Sequence, residues 1–155
     1  SSDLYSTAAV TAALLHDVGK VLMARFLDPE TLDYLRLARM EGGHSMREAE
    51  LEVLTISHGE LGALVAAHWG MPDEITRAVQ HHHDLAGAAS AHRSDAALVQ
   101  LADSAAKVVS PPRIRAEDDP AERAAALELL GAPESAFDGF CELVKQRFAK
   151  LGGAY

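Results

Sequence analysis

The stretch His16-Asp17-Val18-Gly19-Lys20 is the part of this 155-residue chain that decides its fold. It closes an apolar run over residues 8–15 that has the composition of a buried helix. An imidazole beside a carboxylate is costly to bury unless both groups have partners, and a divalent metal ion suits both. The stretch therefore predicts a helix end that carries a metal site, provided that the chain supplies more ligands.

Further imidazole and carboxylate groups follow at three places, each beside a helical apolar pattern. Nitrogen and oxygen ligands of this kind suit zinc, iron, manganese and similar ions, and a single cysteine excludes a thiolate zinc finger. Neighbouring residues on a helix diverge by about 100°, so His16 and Asp17 either converge at an enclosed helix end or serve neighbouring ions. The additional candidates are His58, the triplet His81-His82-His83, and Asp103.

Each candidate also has an ordinary structural interpretation. A lone buried histidine is more often a hydrogen-bonded core residue than a ligand, and the triplet could be a solvated cation at the negative end of a helix dipole. Asp103 could cap a neighbouring helix or pair with Lys107 one turn later. Lys20 is either a surface residue or a cation that holds a phosphate beside the metal. The other histidines are assigned to ordinary positions: His44, His68 and His92.

Composition narrows the class of protein. Hydrophobic residues make up 48% of the chain but aromatic residues only 5%, which favours helix over strand. The net charge of −9 argues against a general nucleic-acid surface. One cysteine allows no internal disulfide, so a reducing, cytoplasmic location is expected. With no apolar run of about 18 residues and no basic segment before a signal core, we expect no membrane span.

Helix start and stop signals occur along the whole chain, and no segment reads as a strand. Capping boxes stand at Ser45-Met46-Arg47-Glu48 and Ser57-His58-Gly59-Glu60, and glycines mark several helix ends. The pattern predicts nine helices, over residues 5–15, 21–27, 30–40, 45–54, 57–68, 72–83, 95–109, 119–130 and 135–151.

The predicted helices are expected to form a single domain over residues 1–155, in which the pair within residues 119–151 packs on the first seven. A loop over residues 86–94 is expected to hold His92, and Trp69 is expected in the core. Helical spacing in the last helix predicts an inward apolar face made of Phe137, Phe140, Val144 and Phe148.

The ordered motifs resemble a known family over most of residues 8–150. Leu14-Leu15-His16-Asp17-Val18-Gly19-Lys20 is similar to the signature of the HD superfamily of metal-dependent phosphohydrolases. The later motifs resemble its HDOD branch, the HD-related output domain of bacterial signalling proteins. These motifs are SMREAE over residues 45–50, HGELGA over 58–63, WGMPDEI over 69–75, HHD over 82–84, LVQLAD over 98–103 and LLG over 129–131.

The resemblance implies an all-α fold, an HD-domain-like helical bundle. It also implies a cytoplasmic regulatory role in a bacterial cell, with a receiver or other sensor module or a signalling protein as partner. Implied cofactors are one or two ions of Fe, Mn, Zn or Ni, and Lys20 and Asp17 would be the catalytic residues of an enzyme. Metal ligands of the related cyclic-dinucleotide phosphodiesterases match His16, Asp17, His58, His82, His83 and Asp103.

Two departures from the phosphodiesterase pattern favour a non-enzymatic role. That branch has a Gly-Tyr-Pro loop after the paired histidines, where this chain has Asp84-Leu85-Ala86-Gly87. The family's first metal ligand is a histidine on an upstream helix, and residues 1–15 contain none. We therefore expect that the N-terminal helices of the domain are missing from this sequence.

The favoured function is a signal-transduction output domain that binds a protein partner or a phosphate-containing ligand, with or without a residual metal site. The alternative is a metal-dependent phosphohydrolase acting on a nucleotide or cyclic-nucleotide phosphoester. A purely structural helical domain is the third hypothesis, and the order of the motifs argues against it. No nucleic-acid partner is expected, and an apolar face left open by missing helices would favour a homodimer.

Overall fold

The computed structural model describes residues 7–110 and 118–150, and no strand occurs in them. This confirms the predicted all-α class. The nine helices of this part are α1 (Thr7–Leu15), α2 (Val18–Phe26), α3 (Pro29–Gly42), α4 (Met46–Leu54), α5 (His58–His68), α6 (Asp73–His81), α7 (Ser90–Val109), α8 (Pro120–Leu130) and α9 (Glu134–Lys150).

Polar caps begin several helices at the places that the sequence marks. The Ser45 hydroxyl accepts a hydrogen bond from the Glu48 N–H at 3.2 Å, and the Glu48 carboxylate accepts one from the Ser45 N–H at 2.8 Å. Ser57 and Glu60 form the same reciprocal box before α5. These bonds satisfy N–H groups that have no partner within the helix. Two further helices, α3 and α8, are capped by Asp28 and Asp119.

Helix boundaries differ from the prediction on both sides of the histidine triplet. α6 ends at His81, so His82 and His83 lie in the turn that follows it. α7 begins at Ser90, which places His92 inside a helix and not in a loop. The added residues, 90–94, contain neither glycine nor proline, so nothing in them stops the helix before Asp95.

The helices pack around α5, α6 and α7. α6 lies against both α5 and α7, α1 packs on α6 and α7, and α2 packs on α5. α8 and α9 pack on α7, while α3 pairs with α4. One apolar cluster is formed by Ala12, Ile75, Ala78, Val79 and Val99, and a second by Ala105, Leu127, Phe137 and Cys141. α7 contributes to both clusters and therefore joins the two parts of the domain.

Two glycines let the central helices approach closely. A Cβ atom at Gly19 of α2 would overlap the carbonyl oxygen of His58 in α5. A Cβ atom at Gly59 of α5 would lie 2.8 Å from the carbonyl oxygen of Gln80 in α6, which is too close for a side chain. The missing side chains thus bring α2, α5 and α6 together at the end where the predicted ligands lie.

Some apolar residues are less buried than the sequence suggests. Phe137 is buried as predicted, but Phe140 is 47% exposed and Phe148 61% exposed. Both buried residues of α9, Phe137 and Cys141, lie in its first half, so the predicted inward face does not continue along the helix. Trp69 is 53% exposed and lies outside the core, because it follows the last residue of α5.

The expectation that no segment could span a membrane needs a correction. Thr7–Phe26 is 20 residues long and contains an 18-residue window with a mean hydropathy of 1.2, which is enough by length and composition. A mean over such a window tolerates the polar residues His16 and Asp17, which interrupt a strict apolar run. In the structure the segment is two helices with these residues in the turn between them, and both helices pack on the domain. Core helices have the same length and composition, so the segment by itself assigns no membrane role.

Candidate metal centre

The structure brings the six predicted metal ligands together, although they come from four places in the chain. Two lie in the turn between α1 and α2, one is the first residue of α5, two follow α6, and one lies in the middle of α7. In chain order these residues are His16, Asp17, His58, His82, His83 and Asp103.

Short distances join the ligand atoms. His58 Nε2 lies 3.3 Å from His82 Nε2 and 3.6 Å from Asp17 Oδ1. His16 Nε2 lies 3.6 Å from the same Asp17 oxygen and 3.5 Å from Asp103 Oδ1. The side chains are therefore close enough to share one ion after small adjustments.

Among the residues that the structure describes, two sets of three have their ligand atoms within 4.8 Å of one another. The first set is His58, His82 and His83, and the second is His16, Asp17 and His82. His82 belongs to both sets. Because its Nδ1 lies 2.7 Å from the Val79 carbonyl, only Nε2 is free to bind, and one nitrogen lone pair binds one ion.

Two of the histidines are oriented by backbone carbonyls of the helices that they follow. His16 Nδ1 lies 2.8 Å from the Ala13 oxygen, and His82 Nδ1 lies 2.7 Å from the Val79 oxygen. A carbonyl only accepts hydrogen bonds, so Nδ1 must carry the hydrogen in both rings. The unprotonated Nε2 atoms of the neutral rings then face the centre of the cluster.

The other two histidines are oriented by carboxylates from different helices. His58 Nδ1 lies 2.7 Å from Glu50 Oε2 of α4, and His83 Nδ1 lies 2.8 Å from Glu122 Oε2 of α8. An ionised carboxylate also only accepts, so these rings have the same tautomer as the first two. An outer hydrogen bond of this kind is typical of histidines that bind a metal through the other nitrogen.

The tautomers leave lone pairs that face each other without a hydrogen between them. When neutral, His58 and His82 both present acceptors at their Nε2 atoms, 3.3 Å apart. Two nitrogens bound tetrahedrally at about 2.0–2.1 Å from zinc lie about 3.3–3.4 Å apart, so the separation fits a shared ion. His16 Nε2 is buried and has no hydrogen-bond partner among residues 7–110 and 118–150. The donor set thus fits a divalent transition metal.

Burial keeps the two central histidines neutral. His82 is fully buried and His58 is 1% exposed. Burial lowers the pKa of His82 well below its usual value, and it also lowers the pKa of His58. Neutral imidazole is the form that binds metal, so both rings are in the binding state at neutral pH.

The two aspartates stay ionised inside the site. Burial would raise the pKa of Asp103, but contacts with His16 and Lys107 hold it well below the usual range. Burial would raise the pKa of Asp17 as well, but the charge of Lys20, and that of His16 when its ring is protonated, lower it overall. Burial alone would lower the pKa of His16, yet Asp103 and Asp17 raise it overall. The site therefore carries negative charge that favours a cation.

Each aspartate is also paired with a lysine. Lys20 Nζ lies 2.7 Å from Asp17 Oδ1, and the lysine side chain is 30% exposed at the rim of the site. Lys107 Nζ lies 2.6 Å from Asp103 Oδ2 and is more buried. The sequence offered a pair with Lys107 as the alternative to metal ligation by Asp103. The structure contains this pair together with the contact between Asp103 and His16.

Sequence reasoning missed the two carboxylates that orient histidines. Glu50 is 1% exposed, and its Oε2 accepts hydrogen bonds from both the backbone N–H and the ring of His58. It lies in the motif over residues 45–50, and a glutamate on the buried face of α4 was the available signal. Glu122 gave no signal, because acidic residues are common in the first turn of any helix.

The other histidines take no part in the centre. Within the described part of the chain, neither ligand set includes His44, His68, His81 or His92. His44 lies 3.2 Å from Glu52 Oε2 on the surface, and His92 lies 3.5 Å from Asp73 Oδ2. Of the histidine triplet, the structure thus turns His82 and His83 toward the cluster.

Two solved structures are similar over most of the chain. A protein of Marinobacter aquaeolei VT8, provisionally ascribed to signal transduction, has a TM-score of 0.69 and 22% identity, over 90% of this chain and 30% of that protein. An HDOD domain protein of unknown function from Geobacter sulfurreducens has a TM-score of 0.67 and 22% identity, over 91% of this chain and 52% of that protein. The chain thus spans at most about half of these proteins, and the likeness shows the fold.

No curated protein matches the chain significantly. The family model of the HDOD domain matches residues 3–85, more than half of the chain. The match includes four histidines of the cluster and ends before α7 and α8, which supply Asp103 and Glu122. By this match, and by the fold that it shares with another HDOD protein, the chain belongs to the HDOD domain family.

Proposed function

We propose that this HDOD domain is a regulatory output module of a bacterial signalling protein and that it holds one divalent transition metal ion. The observation that carries the metal is the pair of facing acceptors, His58 Nε2 and His82 Nε2, at 3.3 Å. The family match and the signal-transduction role ascribed to one structural neighbour support the regulatory part.

The ion would be held by histidine nitrogens around His82 and by carboxylate oxygen. A set without thiolate suits Fe, Mn, Zn or Ni. One ion is favoured over two because both three-residue sets need the single free nitrogen of His82. Lys20 stands at the rim, where its ammonium group could hold a phosphate-containing ligand beside the ion.

Regulation is supported by the position of the cluster in the fold. Its ligands come from the α1–α2 turn, α5, the turn after α6, and α7, so a change in occupancy acts on several helices at once. A module of this kind transmits a state to a protein partner by shifting the balance between two packings of its helices.

Metal analysis of the protein purified without added metal tests the proposal. We expect about one transition metal ion per chain, lost in His58→Ala and His82→Ala variants that remain helical by circular dichroism. His44→Ala is the matched control, because His44 is a surface histidine outside both ligand sets. Protein that holds no metal as purified, and none after incubation with Fe, Mn, Zn or Ni, would contradict the proposal.

A metal-dependent phosphohydrolase is the second candidate, and the position of Lys20 favours it. The Lys20 ammonium lies 2.7 Å from Asp17 at the exposed edge of the site, where it could neutralise a phosphate oxygen. A bound ion would supply hydroxide at neutral pH by lowering the pKa of a water ligand. The chain lacks the Gly-Tyr-Pro loop of cyclic-dinucleotide phosphodiesterases, which favours the output module.

Hydrolysis of bis(p-nitrophenyl) phosphate with added Mn²⁺ distinguishes the two candidates. The output module predicts no turnover above that of a His82→Ala variant. Turnover by the original chain that disappears in both His82→Ala and Lys20→Ala would favour the phosphohydrolase.

A further inference from the structure

Glu122 reaches the metal centre from the C-terminal part of the domain. It lies in the first turn of α8, beyond the residues that match the family model. Its Oε2 lies 2.8 Å from His83 Nδ1, across 39 positions of sequence. The two side chains are 29% and 12% exposed, so the bond is partly shielded from water.

This contact decides which nitrogen His83 presents to the cluster. Because the Glu122 carboxylate accepts from Nδ1, His83 Nε2 faces inward, 4.0 Å from Asp103 Oδ2. His83 lies in a turn after α6 and differs from His82, whose ring is fixed by a carbonyl of α6 itself. The orientation of His83 thus depends on a separate helix.

α8 is also held in place by contacts that do not involve His83. Leu127 packs in the second apolar cluster with Phe137 and Cys141, and Asp119 caps the helix. Among the described side-chain contacts of α8, the one that reaches a candidate ligand is made by Glu122. The position of α8 and the geometry of His83 are therefore joined through one hydrogen bond.

We infer that Glu122 is a positioning residue for His83 and couples metal occupancy to the docking of α8. This inference rests on the proposed metal site. Coupling of two binding events is reciprocal: an ion that fixes His83 strengthens the attachment of α8, and release of α8 weakens metal binding. The C-terminal helices would then carry the metal state of the site to a partner.

Zinc affinity, measured by competition with a chromophoric chelator, tests the positioning role. We expect about 10–100-fold weaker binding in Glu122→Ala, the usual effect of removing a carboxylate that orients a metal-binding histidine. Glu122→Gln should lose less, because its amide oxygen still accepts from Nδ1. Glu128→Ala is the matched control on the exposed face of α8 and should bind zinc like the original chain.

Hydrogen exchange, with and without zinc, tests the coupling. Zinc should slow exchange in both α5 and α8 of the original chain, but in α5 alone of Glu122→Ala. A variant that merely loosened α8 would exchange faster in that helix, but zinc would still slow exchange in both α5 and α8. Nitrogen NMR of the metal-free protein adds a readout of the His83 tautomer, which should become mixed in Glu122→Ala.

The outcomes separate the two proposals. If the original chain binds zinc and Glu122→Ala binds it equally well, with the same slowing in α8, the coupling is wrong and the metal site stands. An unchanged His83 tautomer in Glu122→Ala overturns the positioning role whatever the affinity. A chain that binds no metal overturns the site, and the coupling with it.

Discussion

At the scale of single residues, Glu50 is the group on which the central histidine depends. It is 1% exposed and accepts from the His58 backbone N–H at 2.8 Å and from Nδ1 at 2.7 Å. The carboxylate therefore satisfies the first N–H of α5 and also sets the tautomer of the His58 ring. Its negative charge also suits the N-terminal end of that helix.

Replacing Glu50 by alanine is expected to destabilise the metal-free domain by about 3 kcal/mol. Two buried donors of His58 would lose their acceptor, and each unsatisfied donor costs about 1–3 kcal/mol. Urea denaturation measures the change. Glu52→Ala, at an exposed position of the same helix, should change stability by less than about 0.5 kcal/mol. Equal losses in both variants would contradict the role given to Glu50.

The buried histidines predict how stability depends on pH in metal-free protein. The pKa values of His82 and His58 are lowered on folding, so the unfolded chain binds more protons below about pH 6.5, and stability falls as the pH drops from there. His16 has a raised pKa, so its contribution to stability grows as the pH falls toward 6.5 and stays constant below that. It therefore opposes the loss above about pH 6.5 but not below it, where the two buried histidines continue to lower stability.

We therefore expect urea denaturation in EDTA to show lower stability at pH 5 than at pH 7. His82→Asn should show a smaller loss over this range, because the asparagine amide can donate to the Val79 carbonyl and does not titrate. A loss of the same size in His82→Asn would show that other groups cause it.

At the scale of helices, local signals predicted the elements and long-range contacts did not follow from them. The capping boxes at Ser45 and Ser57 specify helix starts within four residues of sequence, and the structure contains both. The His83–Glu122 bond joins residues 39 positions apart, and no local pattern encodes it. The exposure of Phe148 was likewise not predictable, because helical spacing shows an apolar face without showing what covers it.

The candidate site was predictable in part from histidines and aspartates that stand beside apolar helical patterns. The choice of His82 and His83 within the triplet came from the family resemblance. The motif around His16 and the later histidines predicted residues that the structure brings within a few ångströms. Their role as metal ligands stays a prediction. The orienting groups were missed, since a glutamate on a helix is common and its partner lies on another helix.

The contact between α2 and α5 predicts a strong effect at Gly19. In Gly19→Ala the new Cβ would overlap the His58 carbonyl, so the helices must separate, at a cost of about 1–3 kcal/mol. Gly139→Ala is the matched control, because a Cβ there meets nothing within 4 Å in α9. Alanine should stabilise that helix by about 0.5–1 kcal/mol. Thermal denaturation that ranks the two variants in the opposite order would contradict the close contact.

At the scale of the whole molecule, a bound ion should stabilise the domain. Zinc at about 100 times its dissociation constant adds about 2.7 kcal/mol, which raises the Tm of a chain of this size by about 5–10 °C. Scanning calorimetry should show this shift in the original chain and its reversal by EDTA. His82→Ala should not respond. A similar rise in that variant would place the ion elsewhere.

Because α7 contributes to both apolar clusters, it limits where the chain can be cut into fragments that still fold. A gene fragment that stops at residue 85, where the family match ends, would remove Val99 from the first apolar cluster and Asp103 from its place beside His16. Such a fragment would expose the apolar faces of α1 and α6 to water, and we expect it to aggregate in expression trials. We therefore expect that residue 85, where the family match ends, is not the end of a unit that folds by itself.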